Sequence, residues 1–374
     1  MSTTETALFD GYRNPALIRA LAKEIAAEAK GLSPVNIMEV CGGHTHVIMQ
    51  YGLNLLMPEN VRFVHGPGCP VCVMPKERID HAMALAKLPN VILVTLGDMI
   101  KVPGSNGSLA NARGEGADVR FVNSPTDALK IARENPDKSV IFFAIGFETT
   151  TPMTAAIVES ALKEGLKNLF FHINHITVPE AVAALLDSDE CQIDALIGPA
   201  HVSVITGAKI YAPLVERFHI PVVVSGFEPV DIMEGVLRIV RQKKANEAKL
   251  DNEYTRSVSF EGNTKAQALV DRVFEKREHF RWRGLGDIPS SALRLRPEFA
   301  ALDAETRFAE ALPQKPIDDH KACLCGTILR GAAKPTNCKL FKTVCTPQNP
   351  YGSCMVSSEG ACAAYYRYGE SEIS

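Results

Sequence analysis

The chain lacks any long apolar run and any marked excess of one charge. No stretch of 18 consecutive apolar residues occurs, so we expect no membrane-spanning helix. Its 40 Lys and Arg residues nearly balance 43 Asp and Glu residues, which gives a formal net charge of -3 at pH 7. That balance is unlike the basic surface of a typical nucleic-acid-binding protein. We therefore expect neither a membrane nor a nucleic acid as a partner.

Two further kinds of motif are missing. Residues 1–15 contain no basic segment followed by an apolar one, so we do not expect export. The protein is therefore predicted to be cytoplasmic, where grouped cysteines serve as metal ligands or redox groups rather than structural disulfides. No G-x-G-x-x-G or Walker A sequence follows a predicted strand, which argues against a nucleotide-binding enzyme.

What the chain does contain is ten cysteines in an uneven distribution. Three of them, which we call the front thiols, lie in two short motifs near the N-terminal end: Cys41, Cys69 and Cys72. Six more, which we call the tail cysteines, lie near the other end: Cys323, Cys325, Cys338, Cys345, Cys354 and Cys362. Only Cys191 stands apart. Because grouped thiols can bind soft metals or exchange disulfides, this distribution predicts two sulfur sites.

Short apolar runs alternate with helical patterns between residues 35 and 224. The runs cover residues 35–40, 61–64, 91–96, 140–145, 169–173, 195–197 and 222–224. Helical patterns cover residues 15–30, 76–88, 126–134, 153–164, 179–187 and 208–218. Such alternation is typical of βαβ units with parallel strands. The sequence therefore predicts an α/β fold with two Rossmann-like parallel-sheet domains and a third, Cys-rich iron–sulfur domain.

We predict boundaries for these three domains. The first α/β domain covers residues 33–135, with both front motifs, and the second covers residues 136–241. The third is helical or irregular and consists of residues 1–32 and 242–374. Apolar periodicity is weak in its C-terminal part, so we expect a metal to be needed to order it.

The front thiols are predicted to lie in a cleft. Ligands of open α/β sheets bind beyond the carboxyl ends of the strands, and Cys41 directly follows an apolar run. Cys69 and Cys72 form a C-x-x-C pair just before a helix predicted to open near Pro75. Backbone N–H groups at a helix start lower a thiol pKa, so at least one of the pair should be reactive. The pair can act as a redox dithiol or as metal ligands, including a zinc site with Cys41 and His44.

The tail cysteines have the spacing C-x-C-x12-C-x6-C-x8-C-x7-C. Six thiols exceed the four that a [4Fe–4S] cluster needs, which leaves two free thiols or a disulfide. The irregular Cys-only set favours such a cluster over zinc, either for redox chemistry or as a purely structural element. Spacing does not decide the ligands; one possible set is Cys325, Cys338, Cys345 and Cys362.

Several motifs resemble one known family. They are Cys41-Gly-Gly-His-Thr-His46, Gly66-Pro-Gly-Cys-Pro-Val-Cys72, Gly146-Phe-Glu-Thr-Thr-Thr-Pro152, Gly198-Pro-Ala-His-Val-Ser203 and Cys354-Met-Val-Ser-Ser-Glu-Gly-Ala-Cys362. Together they resemble the HypD family of [NiFe]-hydrogenase maturation proteins, from about residue 12 to residue 368. The resemblance implies two α/β domains, a third domain with a [4Fe–4S] cluster, and a scaffold for the Fe(CN)2(CO) moiety. It also implies a monomer that works in a complex with a HypC-family chaperone and a HypE-family cyanide donor.

The resemblance also implies roles for particular residues. Cys41 would bind the iron together with a cysteine of the chaperone, and Cys69 and Cys72 would complete the site or manage electrons. His44 would hydrogen-bond a thiolate or a bound cyanide. Further cofactor-binding candidates in the cleft are His46, Glu148 and His201.

The main alternative is an iron–sulfur-dependent protein disulfide reductase, similar to ferredoxin:thioredoxin reductases. A plain zinc-binding structural protein is another. Cys41 favours the scaffold over the reductase, since a disulfide reductase needs no third front thiol.

Overall fold

The computed structural model describes residues 11–189 and 191–369. The strands are β1 (Val35–Glu39), β2 (Val61–His65), β3 (Val91–Leu96), β4 (Asp118–Val122), β5 (Ser139–Gly146), β6 (Leu169–His175), β7 (Ala195–Pro199), β8 (Val222–Ser225), β9 (Leu250–Asn252), β10 (Phe274–Lys276), β11 (His279–Trp282), β12 (Gly286–Pro289) and β13 (Leu293–Leu295).

The helices are α1 (Pro15–Glu28), α2 (Gly42–Gln50), α3 (Pro70–Val73), α4 (Lys76–Ala86), α5 (Leu109–Gly114), α6 (Asp127–Glu134), α7 (Thr151–Lys163), α8 (Val178–Leu186), α9 (Ala200–Thr206), α10 (Ala212–Phe218), α11 (Pro229–Lys244), α12 (Thr264–Val273), α13 (Ala304–Arg307), α14 (Cys325–Leu329) and α15 (Ala361–Tyr368). Short 3₁₀ segments include Gly97–Lys101 and Ser353–Met355. Every apolar run identified in the sequence coincides with one of the strands β1–β3 or β5–β8.

Two parallel sheets form the centre of the molecule. The first has the strand order β2-β1-β7-β8-β9 and the second has the order β4-β3-β5-β6. All neighbouring strands within both sheets run parallel. The prediction of an α/β protein with two parallel sheets is therefore confirmed.

The chain crosses from one sheet to the other twice. It leaves the first sheet after β2, builds the whole second sheet, and returns to the first after β6. Each sheet thus takes strands from both of the ranges 33–135 and 136–241. The predicted domain boundaries stay a prediction, but neither range supplies a complete sheet.

The two sheets and the tail share one apolar core. Buried residues of the first sheet, such as Met38 and Leu196, belong to the same cluster as Phe143 of the second sheet and Ile328 of the tail. The other face of the first sheet packs against α1 and α11 in a separate cluster that contains Ile25. The tail is therefore built into the molecule rather than attached to its surface.

The region after residue 241 contains antiparallel strands that the sequence analysis did not predict. β10 pairs with β13, and β11 pairs with β12, each over three or four residues. These strands are short and lie in an Arg-rich segment, so their period-2 pattern is weak. The region is consequently not only helical or irregular.

A buried ion pair attaches α4 to the second sheet and to the later region. Both Arg78 terminal nitrogens lie 2.8 Å from Glu305 oxygens in α13. Arg78 Nε also donates to Asn174 Oδ1 of β6 at 2.6 Å. Removing one partner of a buried pair leaves an uncompensated charge, at a cost of about 3–5 kcal/mol. The contact therefore holds in place the helix that follows the C-x-x-C pair.

Within residues 11–189 and 191–369, no helix is long and apolar enough to cross a membrane.

Candidate functional site

Cys41 lies where the strand order of the first sheet reverses. β1 and β7 are neighbours whose connections lead to opposite sides, and ligands of open α/β sheets bind at such a switch point. Cys41 follows β1, and His201 lies in the first turn of α9 after β7. The Cys41 Sγ atom is 3.8 Å from His201 Nδ1. The fold thus brings together two of the residues singled out in the sequence.

Cys41 caps the start of α2 and is almost completely buried. Its backbone is extended, with φ -151°, and its Sγ atom accepts a hydrogen bond from Gly43 N at 3.3 Å. Burial raises the pKa of Cys41 far above its ordinary value, and the negative charge of Glu359 raises it further. In the protein alone the thiol is therefore protonated, and a metal or another cation is needed to stabilise the thiolate.

Glycines allow the backbone to pack closely around Cys41. A Cβ atom on Gly68 would lie 2.2 Å from Cys41 N, and one on Gly42 would lie 2.3 Å from Glu359 O. Gly42 N also donates to Gly68 O at 3.0 Å. The two glycine motifs and the tail segment around Glu359 therefore meet at one point beside Cys41.

Glu39 holds the backbone of Cys41 in place, although it was not among the residues singled out from the sequence. Its fully buried carboxylate accepts hydrogen bonds from Cys41 N at 3.1 Å and from the Thr45 hydroxyl. It also lies 2.6 Å from His65 Nδ1, and His65 Nε2 contacts the Tyr365 hydroxyl of α15 at 3.3 Å. The sequence did offer one indication: Glu39 ends the apolar run of β1, and a carboxylate buried there needs hydrogen-bond partners.

His44 is buried against the first sheet. Its Nε2 atom lies 2.8 Å from Gly226 O, so this nitrogen carries the proton and Nδ1 is left as an acceptor. Burial lowers the pKa of His44 to about 4, so the ring is neutral at pH 7. Phe227 stacks on it at 4.6 Å and also contacts His201, whose pKa burial lowers to about 4. From the sequence, His44 is expected to hydrogen-bond a thiolate or a cyanide. Donation from Nδ1 would require a second proton on the ring, because Nε2 already carries one.

His46 contacts the tail. Its Nδ1 atom lies 3.4 Å from Ser358 O, and its Nε2 atom lies 3.3 Å from the Tyr368 hydroxyl. These contacts connect α2 to α15 and to the segment that packs beside Cys41. The structure thus gives His46 a part in fixing that segment.

Glu148 lies at the carboxyl end of β5, in a pocket of its own. Its Oε1 atom accepts from Val178 N at 2.9 Å, while Oε2 is buried without a hydrogen-bond partner in the described part of the chain. Burial raises the pKa of Glu148 to about 7. Glu180 and Lys276 line the same pocket, and His201 does not line it.

Cys72 connects the front thiols to the tail cysteines. Cys69 caps α3, and its Sγ atom accepts from Cys72 N at 3.3 Å. Burial raises the pKa of Cys72 well above its ordinary value, and hydrogen bonds with the Cys354 and Cys69 thiols raise it further. The start of α3 does not lower the pKa of Cys72, because α3 is four residues long and the thiol is fully buried. That at least one thiol of the pair is reactive stays a prediction. The two predicted sulfur sites are in direct contact.

The tail cysteines surround one small cavity, which we call the cysteine cavity. All six line it, together with apolar side chains such as Ile328, Phe341 and Met355. The Sγ atoms of Cys325 and Cys354 lie 2.6 Å apart, and Cys354 also contacts the Cys362 and Cys72 thiols. Segments distant in sequence therefore converge on a single group of thiols.

The cysteine cavity suits a Cys-only donor set. Across the two described ranges, no three His, Cys, Asp or Glu side chains converge on a single metal ion. A [4Fe–4S] cluster makes a different demand, because it is larger and takes four thiolates. A second observation concerns Arg283, whose buried guanidinium has no hydrogen-bond partner within the described residues. Its positive charge acts on Cys325, so it favours an anionic group such as a thiolate-bound cluster in the cavity.

Comparison with known proteins gives one family. The family described as "HypD: Hydrogenase formation hypA family" matches residues 16–369. The chain is 53% identical over 366 residues to the hydrogenase maturation factor HypD of Azotobacter vinelandii, covering 96% of each protein. It is 51% identical over 365 residues to that of Cupriavidus necator, covering 96% of each. With that of Escherichia coli K12 the identity is 47% over 368 residues, covering 97% of this chain and 98% of the relative.

We expect Gly42→Ala to destabilise the protein, by about 2 kcal/mol in the free energy of unfolding. The added Cβ would lie 2.3 Å from a backbone oxygen of Glu359, so the tail segment must shift. Urea denaturation measures the change. Gly114→Ala is the matched control, because a Cβ there meets nothing within 4 Å. Equal stability of the two variants would contradict the packing described for Cys41.

Glu148 should make stability depend on pH. Its pKa is 4.5 ordinarily and about 7 when folded, so the folded state holds the proton more tightly between these values. The free energy of unfolding should therefore fall as pH rises from about 4.5 to about 7, by up to roughly 3 kcal/mol. Other buried carboxyl groups, such as Glu253, contribute to the same fall, so Glu148→Gln should make it smaller by the share of Glu148. Glu310→Gln, at an exposed site, should leave it unchanged. Urea denaturation at several pH values measures the free energy of unfolding of each variant. The same dependence on pH in both variants would contradict the raised pKa of Glu148.

Proposed function

The chain belongs to the HypD family of hydrogenase maturation factors, and on this premise we propose that it is an assembly scaffold. Its cargo is the Fe(CN)2(CO) moiety of [NiFe]-hydrogenase, which it holds during assembly and then transfers. The observation that carries the proposal is the buried Cys41 thiol at the switch point of the first sheet, 3.8 Å from His201 Nδ1. Low-spin Fe(II) with cyanide and carbon monoxide is soft and accepts thiolate ligands.

Cys41 is the proposed ligand of the iron. Its raised pKa means that the free thiol keeps its proton, so iron binding displaces that proton. Two neutral acceptors are near the cap: His201 Nδ1 beside Sγ, and His44 Nδ1, which has no partner in the described residues. We propose that His201 Nδ1 relays the thiol proton to solvent as the iron binds, because a ring with a pKa of about 4 does not keep a proton at pH 7, while Glu39 keeps the Cys41 backbone in position.

Cys69 and Cys72 are the proposed redox pair beside this ligand. They are in hydrogen-bond contact, and their conversion from disulfide to dithiol takes up two electrons and two protons. Four of the six tail cysteines would hold a [4Fe–4S] cluster, which supplies one-electron transfer when bound. The contact of Cys72 with Cys354 supports a redox link between the two groups of thiols.

We further propose the partners and setting that the family implies. The partners are a HypC-family chaperone, whose cysteine would share the iron with Cys41, and a HypE-family cyanide donor. The chain would act as a cytoplasmic monomer within that complex. Its proposed architecture is two Rossmann-like domains, with the boundaries predicted above, and a third iron–sulfur domain.

Cys41→Ala should abolish iron loading. The protein, isolated without oxygen together with its chaperone, should show the infrared bands of iron-bound cyanide and carbon monoxide, and the variant should show none. Hydrogenase activity should fall more than about 100-fold, beyond the loss typical of residues that only support a ligand. Cys191→Ala is the control, because that cysteine belongs to neither motif in the sequence and does not line the cysteine cavity. Normal bands in Cys41→Ala would contradict the scaffold.

The Cys69 and Cys72 pair separates the scaffold from a disulfide reductase. Reduction of air-oxidised protein should expose two additional thiols, and Cys69→Ser or Cys72→Ser should each lose this gain. Thiol titration under denaturing conditions measures it. We expect no multiple turnover with a protein disulfide as substrate. Sustained turnover that persists in Cys41→Ala and disappears in Cys72→Ser would instead establish the reductase.

A further inference from the structure

Arg283 lies in the turn between β11 and β12 and has a buried side chain. Only 2% of that side chain is exposed. None of its guanidinium nitrogens has a hydrogen-bond partner in the part of the chain that the structure describes. Its one ion-pair neighbour is Asp319, with Oδ1 3.3 Å from Nε. The guanidinium is thus a buried cation whose hydrogen-bonding capacity is unused.

A buried guanidinium of this kind is costly to a folded protein. It carries five N–H donors in a fixed plane and keeps its charge, so it cannot escape the cost by losing a proton. A buried charge without hydrogen bonds destabilises the folded state strongly. Asp319 compensates only in part, because it is 27% exposed and lies on one side of the fork. A buried guanidinium without hydrogen bonds therefore indicates that an anionic partner binds beside Arg283 in the functional protein.

The position of Arg283 identifies that partner. Its backbone N donates to Val73 O at 2.7 Å, and Val73 directly follows Cys72. The next residue, Gly284, packs against Gly326, which follows Cys325; a Cβ on Gly284 would lie 2.2 Å from Gly326 Cα. Arg283 and Cys323 also line one pocket. Arg283 therefore lies between the C-x-x-C turn and the tail cysteines.

We propose that Arg283 is a positioning residue of the cysteine cavity, where its guanidinium hydrogen-bonds and neutralises the anionic sulfur ligands of a bound cluster. This inference rests on the proposed function, since it requires the cluster. A thiolate-ligated cluster becomes more negative when it gains an electron. A fixed positive charge beside it stabilises the reduced state and raises the midpoint potential.

Arg281 provides a matched control for Arg283. Arg281 lies two residues earlier and lines the same pocket, but 31% of its side chain is exposed and it pairs with Asp318 at 2.5 Å. Its charge is screened by solvent and by that partner, so it should act on the cavity weakly.

The test is a redox titration of the cluster followed by electron paramagnetic resonance. Relative to wild type, Arg283→Gln should reduce the ratio of reduced to oxidised cluster at a given potential about tenfold, which corresponds to about 59 mV for one electron. Arg283→Lys keeps the charge and should recover most of the change. Arg281→Gln should change the ratio less than about twofold. Equal potentials in wild type and Arg283→Gln, or equal shifts in Arg283→Gln and Arg281→Gln, would overturn the proposal.

A second measurement starts from wild-type protein, so its main result does not depend on a variant that folds; Arg283→Lys serves to assign the signal. Protein labelled with ¹⁵N-arginine should show a weak ¹⁵N coupling to the reduced cluster in pulsed electron paramagnetic resonance. The coupling should vanish in Arg283→Lys with unlabelled lysine. A loaded, labelled protein without any such coupling would refute the contact.

Iron and acid-labile sulfide are measured first, so that the two proposals fail separately. Protein that cannot be loaded with a cluster contradicts the proposed function, and with it the role of Arg283. Fully loaded protein with an unchanged potential in Arg283→Gln contradicts only the role of Arg283.

Discussion

The contact between Cys72 and Cys354 is the interaction on which the site depends. Cys72 belongs to a turn between the two sheets, and Cys354 belongs to the tail. Their contact joins the C-x-x-C pair and the tail cysteines into one continuous group, although about 280 residues separate them in the chain. The Ser353 hydroxyl strengthens the junction by donating to Cys72 O at 2.5 Å. A redox role for one group therefore has direct consequences for the other.

Burial decides the chemistry of these thiols. Cys41 and Cys72 are both buried, and burial is the largest cause of the raised pKa of each. Thiols with high pKa values are poor free nucleophiles, so they are protected until a metal displaces their protons. This protection fits the proposed scaffold, in which Cys41 would stay protonated until the iron binds.

Local patterns predicted much of the fold, and long-range packing determined the rest. The apolar runs located seven strands, because buried parallel strands are apolar on both faces. β4 was missed, since it is an edge strand with half-exposed residues such as Phe121. The motifs identified Cys41, His201 and the tail cysteines. Glu39 and Arg283 escaped notice because a charged residue becomes informative only when the fold buries it. Local patterns also did not show which strands belong to the same sheet, because that depends on long-range pairing.

The most direct test of this account is an oxygen-free crystal structure of the iron-loaded protein, with iron located by anomalous scattering. We expect a compact group of iron atoms in the cysteine cavity, bound by tail cysteines, with Cys72 Sγ within about 4 Å of the cluster or its ligands. Iron or zinc bound by Cys41, Cys69 and Cys72 as one mononuclear site would contradict it. So would a cluster bound at the tail with Cys72 out of contact.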